Sequence, residues 1–176
     1  MSTMIDVALQ PVIISNFFNI EELDIFKDAY EQSKWAFNGY SISKEDVHNK
    51  KMFWKKDLYL TSAVDLFTNK IEKTFNIKIT IEQIYVNGQA HGQCGSWHRD
   101  ALQGSINQFT LIYFPRPWQP EYGGHLLYKN PDTISILPEF NKAVLFESTV
   151  EHVGLEPTYH CKTQRESVAV KFKALV

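Results

Sequence analysis

Cysteine is scarce in this chain of 176 residues, and long apolar stretches and an excess of charge of either sign are missing. The two cysteines, Cys94 and Cys161, are too few for a disulfide framework, so we expect a reducing, cytoplasmic compartment. No apolar run approaches the length that spans a bilayer and no signal-peptide pattern stands near the N-terminus, so no membrane association is expected. The net charge of −2 gives no electrostatic reason to expect nucleic-acid binding.

The composition is otherwise that of an ordinary globular protein with many aromatic residues. Hydrophobic residues make up 44% of the chain and charged residues 22%, which is the usual balance for a folded domain. Aromatic residues make up 14%, and their side chains pack well on a pleated sheet. The length suits one domain with a substantial core. We therefore expect residues 1–176 to form a single domain; the sequence carries no indication of an oligomeric state.

The hydrophobic period changes near residue 76. Before it, a short strand at Val12-Ile13-Ile14 precedes an amphipathic helix over 20–33, with Asn19 and Glu22 forming a capping box. A second helix is predicted to start at Ser62. After it, apolar residues alternate, and turn clusters such as Asn87-Gly88 separate the predicted strands, which cover 79–86, 109–114, 125–128, 133–137, 143–147 and 167–175. We predict a mostly β (α+β) fold: a double-stranded β-helix (jelly roll) over about 77–176, with helices of an N-terminal support over about 1–76 packed on one sheet.

The segment 35–59 contains the run Lys50-Lys51-Met52-Phe53-Trp54-Lys55-Lys56. Lysines interleaved with aromatic residues can hold single-stranded nucleic acid by charge and stacking. Lysines also protect a solvated loop or an edge strand from aggregation. Because the charge of the whole chain does not support a nucleic-acid surface, we favour the loop or edge strand. A flap over an active site is the third interpretation.

His98 and Asp100 stand two positions apart, just after a predicted strand. Residues i and i+2 of an extended segment project to the same face, so this imidazole and this carboxylate make half of a metal site. Candidates for a third ligand are the remaining histidines: His48, His91, His125, His152 and His160. His152 is the best placed, because it follows the predicted strand 143–148 and distant strands of a jelly roll lie side by side. Arg165 follows thirteen residues later and opens the last strand.

Taken in order, His98-x-Asp100, His152 and Arg165-x-Ser167 resemble the iron(II)- and 2-oxoglutarate-dependent dioxygenases, and most closely their prolyl-4-hydroxylase-like branch. The likeness covers roughly 79–172 and includes three further motifs: Leu111-Ile112-Tyr113-Phe114, Tyr122-Gly123-Gly124 and Ala143-Val144-Leu145-Phe146. His-x-Asp alone is a weak motif, but the ordered set, with each member beside a predicted strand, is much more specific.

The resemblance implies a ligand set and a reaction. His98, Asp100 and His152 would bind Fe(II) as two imidazoles and one carboxylate, leaving open positions for 2-oxoglutarate and O2, with ascorbate as a further candidate cofactor. Arg165 and Ser167 would hold the far carboxylate of 2-oxoglutarate, with Tyr113, and less directly Tyr85, adding a phenol hydrogen bond. The enzyme would release succinate and CO2 and hydroxylate a C–H bond, and Asp100 favours hydroxylation over halogenation because related halogenases lack that carboxylate.

Three functions are compatible with this pattern. The first is hydroxylation of a prolyl or other residue in a peptide or protein. The second is the same chemistry on a free small molecule such as an amino acid. The third is a non-catalytic, cupin-like binding module in which the metal is structural or absent. The complete set of predicted ligands favours an enzyme.

Overall fold

The computed structural model describes residues 10–41 and 52–175 of the chain. Within these residues the chain forms ten strands, two α-helices and a short 3-10 helix at Pro120–Tyr122. The strands are β1 (Val12–Ile14), β2 (Trp35–Gly39), β3 (Phe53–Asp57), β4 (Lys78–Gln89), β5 (Gln108–Phe114), β6 (Leu126–Lys129), β7 (Thr133–Ile136), β8 (Lys142–Glu147), β9 (Glu151–Gly154) and β10 (Arg165–Leu175). The helices are α1 (Ile20–Gln32) and α2 (Thr61–Phe75). No helix in these ranges has the length and apolar character to cross a membrane.

The strands form two antiparallel sheets. The major sheet has the order β1-β8-β5-β10-β4-β3-β2, and the minor sheet has the order β7-β6-β9. A core of apolar side chains from both sheets fills the space between them, including Ile112, Phe114 and Phe146 from the major sheet and Leu126 and Tyr128 from the minor sheet. This arrangement confirms the predicted mostly β fold with a jelly roll.

The two helices pack on the outer face of the major sheet. Helix α1 begins as predicted, because Asn19 accepts a hydrogen bond from the backbone of Glu22 (2.9 Å) and Glu22 accepts one from the backbone of Asn19 (2.8 Å). Helix α2 ends at Phe75, and Asn76 caps it in the left-handed conformation. Their apolar faces bury Phe26 and Phe67 in a core shared with the sheet. The major sheet therefore has apolar cover on the helix side and faces the minor sheet on the other.

Strand β5 shows how the two faces divide. Phe109, Leu111 and Tyr113 belong to the core under the helices, whereas Ile112 and Phe114 belong to the core between the sheets. This alternation follows from the two-residue period of a strand. It decides which side chains can reach a site between the sheets.

Two local features differ from the sequence predictions. The Asn87-Gly88 pair, predicted as a turn, lies inside β4, because β10 and β3 pair with β4 on both sides at this point. Gly88 is required there, since a Cβ would lie 2.9 Å from the Trp35 ring. Residues 151–154 form a strand that was not predicted, β9, which carries His152.

The lysine- and aromatic-rich segment forms the edge of the major sheet. Strand β2 pairs with β3, and β3 pairs with β4. The described residues up to 75 therefore contribute three strands in addition to the two helices. Of the lysines in the run, Lys50 and Lys51 lie outside the described residues. Lys55 lies on the face of the sheet that also carries Tyr85. Lys56 lies on the opposite face, where it is buried against Tyr30 of α1.

Candidate active site

Backbone pairing brings the three predicted ligands together. His98 and Asp100 lie in the loop between β4 and β5, and His152 lies on β9 of the minor sheet. The backbones of His98 and His152 form an isolated antiparallel bridge, with reciprocal hydrogen bonds of 3.0 and 2.9 Å. The backbone N–H of Asp100 donates to the carbonyl of Ser148 (2.9 Å). The loop is therefore fixed to the start of β9 at two neighbouring points.

The ligand atoms of these three residues converge. His98 Nε2 is 3.6 Å from Asp100 Oδ1, and His152 Nε2 is 3.5 Å from Asp100 Oδ2. All three ligand atoms lie within 4.8 Å of one another, and in the described part of the chain no other histidine joins the cluster. His48, one of the candidate third ligands, lies outside the described residues.

The other ring nitrogens fix the orientation of both imidazoles. His98 Nδ1 lies 2.8 Å from the carbonyl oxygen of Ser96, and His152 Nδ1 lies 3.0 Å from the carbonyl oxygen of Val150. A carbonyl only accepts, so each Nδ1 carries the proton and each Nε2 presents a lone pair to the centre of the cluster. Two imidazole lone pairs and a carboxylate on one side of a common point fit an iron(II) ion of the facial two-histidine, one-carboxylate type.

Burial sets the charge of the cluster. It lowers the pKa of His152 to about 4, so this imidazole is neutral at neutral pH, as a metal ligand must be. Burial alone would raise the pKa of the Asp100 carboxyl, but the charge of His152 when it is protonated and the Lys171 ammonium outweigh burial and hold this pKa below its ordinary value. The site therefore offers a neutral imidazole from His152 and an anionic oxygen donor from Asp100.

Two residues that the sequence analysis did not single out hold Asp100 in place. Thr110 on β5 donates its hydroxyl proton to Asp100 Oδ2 (2.7 Å) and also contacts the hydroxyl of Ser148 (2.9 Å). Lys171 Nζ lies 2.7 Å from Asp100 Oδ1. A signal for Lys171 was present, because it lies six residues beyond Arg165 on the same strand and so on the same face.

Arg165 lies at the other end of the same face of β10. Its side chain is 2% exposed, and its guanidinium donates to Gly124 O, to Gln89 Oε1 (2.9 Å) and to Ser167 Oγ (3.2 Å). Among the described residues no carboxylate lies within ion-pair distance of it, and burial lowers its pKa to about 10. A buried guanidinium without a counter-ion is costly, and a carboxylate ligand would relieve that cost.

The structure places six of the seven predicted site residues around one cavity between the sheets. They are His98, Asp100, His152, Tyr85, Arg165 and Ser167. The rest of the lining includes apolar side chains such as Ala169 and Ile112 and the amide side chains of Asn87 and Gln89. Gly124 is required beside it, since a Cβ there would lie 2.9 Å from Arg165 Cδ.

Tyr113 does not reach this cavity, which corrects the prediction that its phenol meets the co-substrate. It lies on the helix face of β5, with its ring 5.0–6.0 Å from those of Phe17, Phe18, Phe26 and Phe67. Its hydroxyl is buried without a hydrogen-bond partner. The reason is that successive side chains of a strand point to opposite faces of the sheet, so Ile112, and not Tyr113, points towards the cavity.

Comparison with known proteins agrees with this geometry. A family model described as the 2OG-Fe(II) oxygenase superfamily matches residues 83–172. No curated protein gives a significant sequence match.

Solved structures share the fold at low sequence identity. A prolyl hydroxylase from Trichoplax adhaerens, in complex with a hypoxia inducible factor oxygen degradation domain peptide fragment, is 17% identical with a TM-score of 0.70 and covers 93% of this chain and 83% of its own. A 2OG-Fe(II) oxygenase family oxidoreductase from Burkholderia pseudomallei has the same TM-score at 11% identity, covering 93% of this chain and 84% of its own. The viral collagen prolyl hydroxylase of Paramecium Bursaria Chlorella virus-1, as its 2OG complex, is 14% identical with a TM-score of 0.60 and covers 94% and 96%.

The structural likenesses show a common fold, and they include prolyl hydroxylases, the branch that the sequence motifs resemble. The family match shows that the chain is a member of the family, because the match spans half of the chain, from β4 to β10. It includes the histidine–aspartate cluster and Arg165. The chain belongs to the 2OG-Fe(II) oxygenase superfamily and is a 2-oxoglutarate-dependent dioxygenase that uses Fe(II), 2-oxoglutarate and O2.

Proposed function

We propose that His98, Asp100 and His152 bind the catalytic Fe(II), and that the enzyme hydroxylates a prolyl or other residue in a peptide or protein. The observation that carries the first part is the convergence of two Nε2 atoms and one carboxylate within 4.8 Å, with both Nδ1 atoms tied to backbone carbonyls. Because every ligand of the set is present, we favour an enzyme over a non-catalytic cupin-like module.

Arg165 and Ser167 are proposed to hold the far carboxylate of 2-oxoglutarate. The guanidinium supplies charge-assisted N–H donors to that carboxylate, and the Ser167 hydroxyl adds another donor. Tyr85 lines the same cavity beside the metal cluster, the name used here for the three proposed iron ligands. We therefore assign Tyr85 to the wall of the site, whereas Tyr113 belongs to the core under the helices.

Iron and 2-oxoglutarate together supply the oxidising chemistry, in which O2 is reduced, 2-oxoglutarate is converted to succinate and CO2, and a C–H bond is hydroxylated. The chain's own residues position the reactants and limit access of water. Thr110 orients Asp100, and the buried wall formed by Ile112, Leu126 and Ala169 excludes solvent from the space between the metal cluster and Arg165.

The peptide assignment is supported by the structural neighbours, one of which is a prolyl hydroxylase with a bound peptide. We further propose that residues 1–176 work as a single dioxygenase domain. The free cysteines Cys94 and Cys161 are compatible with our assignment of the protein to the reducing cytoplasm.

The metal assignment is tested by thermal denaturation with Fe(II) and 2-oxoglutarate under anaerobic conditions, followed by a succinate assay in air. We expect both ligands to raise Tm in the wild type and in His160→Ala, a control at an exposed histidine outside the cluster. His98→Ala should lose the iron-dependent rise and the succinate. A wild type that is indifferent to both ligands would contradict the proposal.

The substrate assignment needs a separate assay. Prolyl peptides and free proline are incubated with the loaded enzyme, and the products are examined by mass spectrometry for a gain of one oxygen. Hydroxylation of a peptide supports the proposal, whereas activity confined to free proline would move the assignment to small-molecule hydroxylation.

A further inference from the structure

A second cavity lies beside the metal cluster, on the side of the sheet edge. Its volume is about 610 Å³, and strands β2, β3, β4 and β10 contribute to its walls. His98 lines both this cavity and the one that contains Arg165, so the second cavity adjoins the proposed iron site. The polar and charged side chains that line this cavity include Lys55, Gln83, Tyr85, Asn87, His98 and Lys171.

Two lysines give this cavity its charge. Lys55 Nζ lies 3.9 Å from the centroid of the Tyr85 ring, and Lys171 Nζ lies 5.7 Å from the same centroid. The two ammonium groups are therefore held against one aromatic ring and repel each other. Burial, and then the charge of Lys171, lowers the pKa of Lys55.

Lys171 has a counter-charge in Asp100, whereas Lys55 has none within ion-pair distance among the described residues. In the described ranges no carboxylate forms an ion pair with Lys55, and Asp57, two residues away on its strand, acts on it only at longer range. Lys171 contacts Asp100, but Asp100 is the proposed iron ligand, and bound Fe(II) would take up that negative charge. The cavity of the loaded enzyme is therefore cationic.

Asn87 adds a neutral group that lacks a partner. Its Oδ1 atom is buried without a hydrogen bond, and the residue lines both cavities. An amide oxygen accepts, so it needs an N–H or O–H donor from a ligand. A buried acceptor left without one has a desolvation cost that a ligand N–H would remove.

We propose that this cavity is the substrate site and that it selects a substrate with a carboxylate, held by Lys55 and Lys171, beside an N–H group that donates to Asn87. The inference rests on the proposed function, because it takes the metal cluster as the reacting centre. A carboxylate between two like charges relieves their repulsion and gains charge-assisted hydrogen bonds. Two sources of this group fit: the α-carboxylate of a free amino acid, and an acidic side chain in a peptide.

The test uses matched probes on the enzyme loaded anaerobically with Fe(II) and 2-oxoglutarate. L-proline is compared with L-prolinamide, and the blocked peptide Ala-Pro-Glu is compared with Ala-Pro-Gln, each by calorimetric titration. We expect the carboxylate member of at least one pair to bind ten times more tightly. The pair that shows the preference identifies the source of the carboxylate.

Variants then assign the preference to the cavity. Lys55→Gln should reduce the ratio within that pair to less than twofold, and Lys55→Arg should retain most of it. Lys73→Gln makes the same chemical change on the exposed surface of α2, on the other side of the sheet, and should leave the ratio as in the wild type.

Equal binding within both pairs would overturn the proposal, as would no binding of any probe, or a preference that survives Lys55→Gln. Failure of the proposed function is seen separately, before any probe is added, as a wild type whose Tm does not respond to Fe(II) and 2-oxoglutarate. That result would remove both proposals, whereas a responsive enzyme that is indifferent to the carboxylate removes only this one.

Discussion

Arg165→Lys is a sharp test of the co-substrate site, because it keeps the positive charge and removes the planar fork. The arginine is buried at the end of the cavity, where it already donates to Gly124, Gln89 and Ser167. These contacts fix the plane of the guanidinium before any ligand binds. A lysine at the same position offers a single ammonium group without that fixed plane.

The expected loss is calculated from the hydrogen bonds that the fork would make. A hydrogen bond to a charged group contributes about 1.5–3 kcal/mol, so losing one such bond should raise the Kd for 2-oxoglutarate about 10- to 100-fold. At a hundred times the wild-type Kd, 2-oxoglutarate stabilises the wild type by about 2.7 kcal/mol and the variant by about 0.4–1.4 kcal/mol. For a chain of this size the rise in Tm should fall from about 5–10 °C to about 1–5 °C.

The assay is anaerobic calorimetric titration of the iron-loaded protein with 2-oxoglutarate, supported by the Tm shift. Arg116→Lys is the matched control, since Arg116 is half-exposed and pairs with Glu166 away from the cavity. The control should keep the wild-type affinity. If Arg165→Lys is well folded and its Kd stays within threefold of the wild type, the carboxylate is not held by this guanidinium.

Three further predictions concern the metal cluster. Thr110→Val removes the hydroxyl that bonds Asp100 and should weaken Fe(II) binding about 10- to 100-fold in a metal titration; an unchanged affinity would mean that Asp100 needs no such support. Lys171→Met should lower the Tm of the metal-free protein but raise its affinity for Fe(II) about tenfold, because the ammonium competes for the same carboxylate at 2.7 Å; weaker iron binding would show that the lysine supports the metal instead. The pKa of His152 is lowered to about 4 in the folded protein, against about 6.5 in the unfolded chain, so the unfolded state binds more protons between these pH values. The free energy of unfolding should therefore fall as pH drops from 6.5 to 4, by up to about 3 kcal/mol for this group, and a His152→Gln variant with the same slope in a urea titration would refute the assignment.

The sequence was most informative where chemistry and strand period coincide. His98 and Asp100, like Arg165 and Ser167, stand two positions apart, and the fold places each pair on one side of the cavity. The capping box at Asn19 and Glu22 likewise predicted the start of α1, because both partners are local. Such predictions need only a short stretch of chain and its geometry.

Features that depend on distant partners were not predictable in this way. Asn87-Gly88 has the composition of a turn, yet β3 and β10 pair on both sides and keep β4 extended through it. Tyr113 was assigned by its place in a motif, but the register of β5 directs it to the helices. A shift of one residue in register moves every side chain of a strand to the other face of the sheet. The sequence of one strand therefore does not indicate which of its side chains face the cavity.

Strand β10 explains why the site has a positively charged side chain at each end. Its inward-facing residues are Arg165, Ser167, Ala169 and Lys171, so a cation stands at each end and small side chains lie between them. With a rise of about 3.4 Å per residue, the Cα atoms of Arg165 and Lys171 are roughly 20 Å apart along the strand, so the two side chains enter the site from opposite ends. One end therefore suits the far carboxylate of the co-substrate, while the other stands beside Asp100 and the second cavity. The same two-residue period that directs Arg165 inward thus also supplies the second cation, and the fold divides two anionic groups between the two ends of one strand.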